Sequence, residues 1–238
     1  MRQLNLAGKT KVEISIKRIK FFEPPDGYWL AFSGGKDSCV IKKLADIAGV
    51  KYEAHYNFTT VDYPVLVKFI KEVHPDVIID RPPKSMFQLI PEKLMPPTRL
   101  VRYCCEKLKE QGGIGRIVMT GIRSEESTRR KNYQVYMSFK KKILFSPILD
   151  WYSDDIWEFI HSEKIPYCSL YDEGYKRLGC IMCPMAPKKQ RLKEKDLYPK
   201  FYKAYLLAFK KMLERRIQRE LKTTWQSPEE VMKWWLSK

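Results

Sequence analysis

At 238 residues, with hydrophobic residues at 44% and aromatics at 13%, the chain can build one substantial core plus an appendage, which excludes a disordered protein. Its 45 Lys and Arg outnumber 28 Asp and Glu, and a formal charge of +17 serves solubility and also favours phosphate-bearing partners such as nucleic acid. No apolar run approaches the roughly 20 residues needed to span a bilayer, and the polar, basic start (Met1, Arg2, Lys9, Lys11) has no apolar leader. A cytoplasmic protein without membrane contact is therefore expected.

After the basic lead-in, Tyr28-Trp29-Leu30-Ala31-Phe32 reads as a buried strand stopped by Ser33-Gly34-Gly35. From Asp37 onward Val40, Ile41, Leu44, Ile47 and Ala48 recur at helical spacing. Residues 51–60 form a second strand candidate, 65–73 a second helix and 77–80 a third strand. Pro82-Pro83 and Pro96-Pro97 bracket a section read as rich in loops, and residues 116–121 follow as a further strand. A helix near Asp155–His161 carries Ile156, Trp157 and Ile160 on one face. Strand and helix alternating in this way predict an α/β fold with a parallel, Rossmann-like sheet and helices on both faces. Ligands of such sheets sit beyond the carboxyl ends of the strands.

Beyond Pro187 the pattern changes. Leu197, Phe201, Tyr205, Ala208, Phe209, Met212 and Leu213 form an apolar stripe at helical period, with Lys200, Lys203, Lys210, Lys211, Arg215, Arg216 and Arg219 between and after them. Residues 185–238 hold fifteen Lys and Arg against six Asp and Glu. Ser227 and Glu230 read as a capping box for a final short helix. The expected organisation is a nucleotide-binding α/β domain over residues 1–184 and a basic helical extension over 185–238.

Ser33-Gly34-Gly35-Lys36-Asp37-Ser38 carries the most chemistry in the fewest residues. Two glycines let the backbone turn its N–H groups onto an anion. The helix that follows offers free N–H groups and a positive dipole end. Lys36 adds a cation, Ser33 and Ser38 add hydroxyls, and Asp37 can cap the helix or help hold Mg2+. The Gly-x-x-x-x-Gly-Lys spacing of a Walker loop is absent.

The hexapeptide resembles the PP-loop of the adenine nucleotide α-hydrolases, and the rest of the chain resembles the phosphoadenosine phosphosulfate reductase family. The matching segments are 121–127, 146–151, 155–157, 165–167 and 170–175 leading into Gly179-Cys180. The resemblance implies ATP binding at Ser33–Ser38 and Gly121, with Lys36, Asp37, Arg123 and Glu126 as the working side chains. It also implies cleavage between the α and β phosphates, or binding of an already adenylated substrate. Arg123 follows a strand end and suits a bidentate phosphate contact. Glu126 can orient Arg123, act as a base or be a surface acid at a helix start. Arg129 and Arg130 read equally as phosphate contacts or surface charge.

Six cysteines in a reducing compartment point to metal or chemistry more than to disulfides. Cys104-Cys105 and Cys180-x-x-Cys183 can supply four thiolates to one centre. Adjacent cysteines suit two irons of a cubane better than one zinc ion, though zinc or free thiols stay open. The family's cluster-bearing reductases place a Cys-Cys pair and a later Cys-x-x-Cys in this order, so the resemblance implies a [4Fe–4S] cluster. Cys39 and Cys168 read as packed core thiols.

Sulfonucleotide reductases of the family use a further cysteine near the carboxyl terminus, whereas the last cysteine here is Cys183. The resemblance then extends to ATP pyrophosphatases of DNA phosphorothioation systems and to cluster-dependent tRNA thiolases. Such an enzyme implies DNA or tRNA as acceptor and a cysteine desulfurase as sulfur donor. A sulfonucleotide reductase using an external thiol, or a non-catalytic nucleotide- or DNA-binding accessory protein, remain as alternatives.

Overall fold

A computed structural model of the chain describes residues 8–237, so Met1 and Arg2 of the basic start lie outside the described residues. The order is α1 (Lys11–Phe21), β1 (Tyr28–Ala31), α2 (Lys36–Ala48), β2 (Tyr52–Asn57), α3 (Pro64–Val73), β3 (Ile78–Asp80), α4 (Met86–Lys93) and α5 (Tyr103–Leu108). Then come β4 (Ile117–Met119), α6 (Thr128–Lys131), β5 (Tyr136–Phe139), β6 (Lys142–Phe145), α7 (Ser153–Ser162), α8 (Lys188–Leu197), α9 (Pro199–Gln218) and α10 (Pro228–Ser237).

One six-stranded sheet runs β3-β2-β1-β4-β6-β5. Every neighbouring pair is parallel except β5–β6, an edge hairpin. The expected α/β class with a mainly parallel sheet is what forms. Tyr28 and Leu30 of β1 are fully buried, the signature of a central strand covered on its faces. The chain passes from β1 to β2 on one side and later places β4 on the other, in register Trp29 to Val118 and Leu30 to Met119. The strand order reverses at the β1/β4 boundary, where crevices for ligands open in such sheets.

The basic lead-in contains a helix. Thr10 and Glu13 make a capping box that starts α1, and Ile19 buries completely on that helix. The section between the proline pairs departs from the expected loops, because it contains α4. Ser85 and Gln88 cap α4 reciprocally, and Leu89, Ile90 and Pro91 are buried on it.

The chain divides into two compact units, and the division is not a single cut at residue 184. Unit one takes residues up to 57, 64–80 and 112–178, which hold the whole sheet. Unit two takes residues 58–63, 81–111 and 179 onward. Burial supplies the reason: the apolar stripe of α9 is covered by α4 and α10, so residues 86–93 join the carboxyl-terminal helices. In unit two Tyr205 lies between Trp235 and Phe87, with ring centroids 4.8 and 5.2 Å away. The Trp235 indole N–H donates to Pro97 O at 2.6 Å.

Candidate nucleotide site and thiol cluster

Ser33–Ser38 leaves the carboxyl end of β1 and turns directly into α2. Gly34 stands at φ +70°, and a Cβ there would lie 2.7 Å from Leu66 and 2.8 Å from Ile70. Only glycine reconciles that backbone with the flank of α3. The hydroxyls fold inward: Ser33 N–H donates to Ser38 Oγ at 3.2 Å, Gly35 N–H to Ser33 Oγ at 3.3 Å, and Ser38 O–H to Gly35 O at 2.7 Å. Lys36 N–H donates to the phenol oxygen of Tyr171 at 2.9 Å.

Arg123 arrives from the neighbouring strand end. Past β4 the chain makes its closest approach at Gly121, where a Cβ would sit 3.0 Å from the Asp37 backbone. That approach lets Arg123 Nε reach Asp37 Oδ1 at 2.7 Å, while Lys36 Nζ holds Asp37 Oδ2 at 3.0 Å. Both cations are nearly enclosed, Lys36 at 6% and Arg123 at 4% exposure. Burial opposes the Arg123 charge, but Asp37, Glu125 and Glu126 outweigh it and hold the guanidinium proton above its ordinary range. Glu126 accepts the Arg123 amide at 3.0 Å and pairs with Arg130, so it braces Arg123 from below. The two arginines thus separate: Arg130 is tied to Glu126, and Arg129 is exposed.

The residues expected to bind a nucleotide therefore converge in unit one. Tyr171 and Glu125 join them unforeseen. Glu125 accepts Arg123 Nη1 at 2.5 Å and Ser153 N–H at 2.8 Å. Cys39 is buried, its Sγ 4.0 Å from His74 Nε2, and burial pushes its thiol up to about 12. Cys168 is fully buried and raised by the same cause.

Unit two holds the other four cysteines, all as free thiols. They lie within one another's fields. Cys104 donates to Cys105 and is pushed up by that bond, by burial and by Cys105, Cys180 and Cys183. Cys105 is held well below the thiol range, first by the Cys104 hydrogen bond and then by Lys109 and Arg102 against the cost of burial. Lys109 is raised by Cys180, Asp62, Cys183 and Cys105, with burial opposing. Its side chain stands one helical turn after Cys105, a spacing that would have flagged it in the sequence. Cys180 Sγ donates to Thr59 Oγ1 at 3.5 Å. Among the described residues no three His, Cys, Asp or Glu side chains close on a point where one metal ion would sit.

Glu194, at 0% exposure, holds the loop between Cys180 and Cys183. It accepts Met182 N–H at 2.6 Å, Tyr63 O–H at 2.5 Å and Gln190 Nε2 at 2.7 Å, while Met182 sits at φ +56°. Elsewhere in unit two, α4 and α9 flank an open pocket of about 370 Å³ lined by Lys84, Phe87, Gln88, Pro91, Glu92, Lys211 and Arg215. Glu92 is its lone carboxylate, and Lys84, Lys93 and Arg215 hold its pKa low.

Comparison with known proteins matches residues 27–186 to the phosphoadenosine phosphosulfate reductase domain. An uncharacterized protein of Methanocaldococcus jannaschii is 34% identical over 197 residues, 76% of this chain and 47% of that protein. The chain thus spans about half the length of that relative. An adenosine 5'-phosphosulfate reductase of Shouchella clausii is 25% identical over 180 residues, 66% of this chain and 70% of that enzyme. In three dimensions the fold is shared with a phosphoadenylyl-sulfate reductase from Candida auris solved as a phosphate complex. The TM-score is 0.53 at 18% identity, covering 74% of this chain and 90% of the other. With its glycine loop, its strand-end arginine and 160 contiguous positions of matching sequence (27–186), the chain belongs to the phosphoadenosine phosphosulfate reductase family.

Proposed function

We propose that the protein is a cytoplasmic ATP pyrophosphatase of this family that adenylates an acceptor for sulfur transfer, with DNA or tRNA as the acceptor. The observation that carries the reading is the convergence of Lys36, Asp37 and Arg123 on a glycine loop at the β1/β4 switch point. An acceptor oxygen attacks the α-phosphorus of ATP, the bond to the bridging oxygen breaks, and pyrophosphate leaves with the electron pair. The terminal sulfur of a persulfide from a donor such as a cysteine desulfurase then displaces AMP, and an external thiol reduces the S–S bond to the donor, leaving sulfur on the acceptor. Lys36 and Arg123 exchange Asp37 for phosphate oxygens and stabilise charge on the leaving group. Asp37, so released, would help hold Mg2+, which would neutralise charge on the phosphates.

Cys104, Cys105, Cys180 and Cys183 are the residues that would hold a [4Fe–4S] cluster, and their mutual fields with Lys109 support that assignment. When bound, the cluster supplies the sulfur-handling chemistry. The nucleic-acid acceptor is supported by the +17 charge and by the cation-lined pocket of α4 and α9. A second reading, sulfonucleotide reduction with an external thiol, is favoured by the relatives named as adenosine 5'-phosphosulfate reductases.

One assay separates the readings. ATP and adenylyl sulfate are each incubated with the protein and an excess of a small-molecule thiol, with and without DNA or tRNA, and pyrophosphate and sulfite are measured. Pyrophosphate release that rises with nucleic acid is the expected result. Sulfite release from adenylyl sulfate alone replaces it with the reductase, and binding without either product leaves an accessory protein.

A further inference from the structure

Three amides of the phosphate loop find side-chain partners inside the chain. Two of these partners, Ser38 Oγ and Ser33 Oγ, belong to the loop and turn with it. The third comes from far away: Lys36 N–H donates to Tyr171, 135 residues on, at 2.9 Å. Lys36 is the first residue of α2, and the first amides of a helix have no partner within it. The dipole makes that position attractive to an anion. The phenol oxygen stands there as an uncharged substitute.

The chain is built to deliver it. Tyr171 is held by Trp157, edge to face with centroids 5.3 Å apart, and by Tyr167 at 6.4 Å. Tyr167 is fixed in turn by its O–H to Asp172 Oδ1 at 3.1 Å. Lys36 Nζ lies 5.9 Å from the centre of the Tyr171 ring. A Cβ at position 35 would already stand 3.3 Å from the phenol oxygen, so Gly35 admits it. The cations of the site show the same substitution, since Lys36 and Arg123 both pair with Asp37.

We infer that Tyr171 is a nucleotide-site residue whose oxygen stands in for phosphate at the Lys36 amide and must give way when a nucleotide binds. The inference rests on the reading of Ser33–Ser38 as a nucleotide cradle. A phosphate oxygen is the stronger acceptor, because charge-assisted hydrogen bonds are about twice as strong as neutral ones. It therefore wins the amide, but against a bond the free protein already has. Tyr171 sets a threshold: anions weaker than a nucleotide phosphate do not displace it, and nucleotide affinity is lower than the open cradle would give.

The test is titration calorimetry of the full chain with ATP and with inorganic tripolyphosphate. Tyr171→Phe removes the oxygen and keeps the ring. It should bind both ligands roughly three- to tenfold more tightly, the worth of one hydrogen bond. Equal or weaker binding by Tyr171→Phe overturns the inference. If ATP binds wild type, is lost in Lys36→Ala and is unchanged in Tyr171→Phe, the cradle stands and Tyr171 alone falls. If neither ligand binds wild type or Tyr171→Phe, the nucleotide reading falls and takes this one with it. Hydrogen exchange without ligand gives an independent readout. The peptide spanning residues 33–38 should exchange faster in Tyr171→Phe, and equal protection refutes the bond.

Discussion

In the free protein Asp37 accepts Lys36 Nζ at 3.0 Å and Arg123 Nε at 2.7 Å, so two buried cations share one carboxylate. Removing one cation leaves the other paired, and Lys36→Ala should therefore fold normally. Without Lys36 to meet the leaving pyrophosphate, ATP turnover should fall at least about a hundredfold, as when one preorganised donor is removed. Pyrophosphate release and a thermal melt check the two halves of that statement. Gly121→Ala tests the backbone approach. Its Cβ would press on the Asp37 backbone at 3.0 Å, and neither side is a flexible side chain. The variant should lose about 1–3 kcal/mol of stability in urea unfolding and bind ATP less tightly because Arg123 is pushed from Asp37.

His74 offers a pH-dependent readout in unit one. It packs edge to face against Phe32 and Phe69. Burial first, and Lys42 after it, hold its imidazole below the ordinary histidine range, with Asp76 and Asp46 opposing. The unfolded chain therefore binds the proton more readily than the folded one. Stability from this residue is complete above the unfolded histidine pKa of about 6.5 and declines as pH falls below it. Urea unfolding at neutral and mildly acidic pH should show a smaller acid loss in His74→Gln than in wild type.

At the scale of elements, α8 and α9 have distinct tasks. The inward face of α8 carries Arg191 and Glu194, both buried, and Arg191 Nη1 donates to Trp235 O at 2.9 Å. Glu194→Ala would remove the acceptor of the buried Met182 amide, at a cost of about 1–3 kcal/mol. After anaerobic reconstitution with iron and sulfide, wild type should absorb broadly near about 400 nm, as iron–sulfur charge transfer does. Glu194→Ala should lose much of that band, since the Cys180–Cys183 loop is no longer held. A colourless wild type would remove the cluster assignment itself.

The outward face of α9 carries exposed Lys211 and Arg215 beside the α4 pocket, while Arg216 on the same turn donates to Leu94 O at 2.8 Å. Arg216 is thus structural and its neighbours are available to an anion. Lys211→Glu combined with Arg215→Glu should weaken nucleic-acid binding and lower the slope of log affinity against log salt by about one for each phosphate no longer neutralised. Fluorescence anisotropy at several salt concentrations measures it. An unchanged slope places the acceptor elsewhere.

For the whole molecule, two units of different make-up mean that one unfolding free energy does not describe the chain. A ligand of the sheet should protect unit one. At a hundred times its dissociation constant ATP adds about 2.7 kcal/mol to the state that binds it. Amide exchange in the peptides of β1, α2 and β4 should slow accordingly in wild type and not in Lys36→Ala. No helix among the described residues is long and apolar enough to cross a membrane.

Local pattern alone determines a large part of the fold. Strand-then-helix periodicity, the glycine hexapeptide and Ser227 ahead of a final helix are short-range features, and they reappear as β1–α2, the turn between them and α10, whose Glu230 amide donates to Ser227 Oγ. The lead-in helix and α4 escaped because caps and proline pairs there look like loop chemistry until burial of Ile19, Leu89 and Ile90 outweighs it. What no local window contains is proximity between distant residues. Asp37 meets Arg123 because β1 and β4 are neighbours, Tyr171 reaches the head of α2 from 135 residues away, and Glu194 closes on Met182 only once α8 is packed. The residue types that do chemistry were written in the sequence; which of them hold one another in place was settled by burial and strand order, which only the folded chain has.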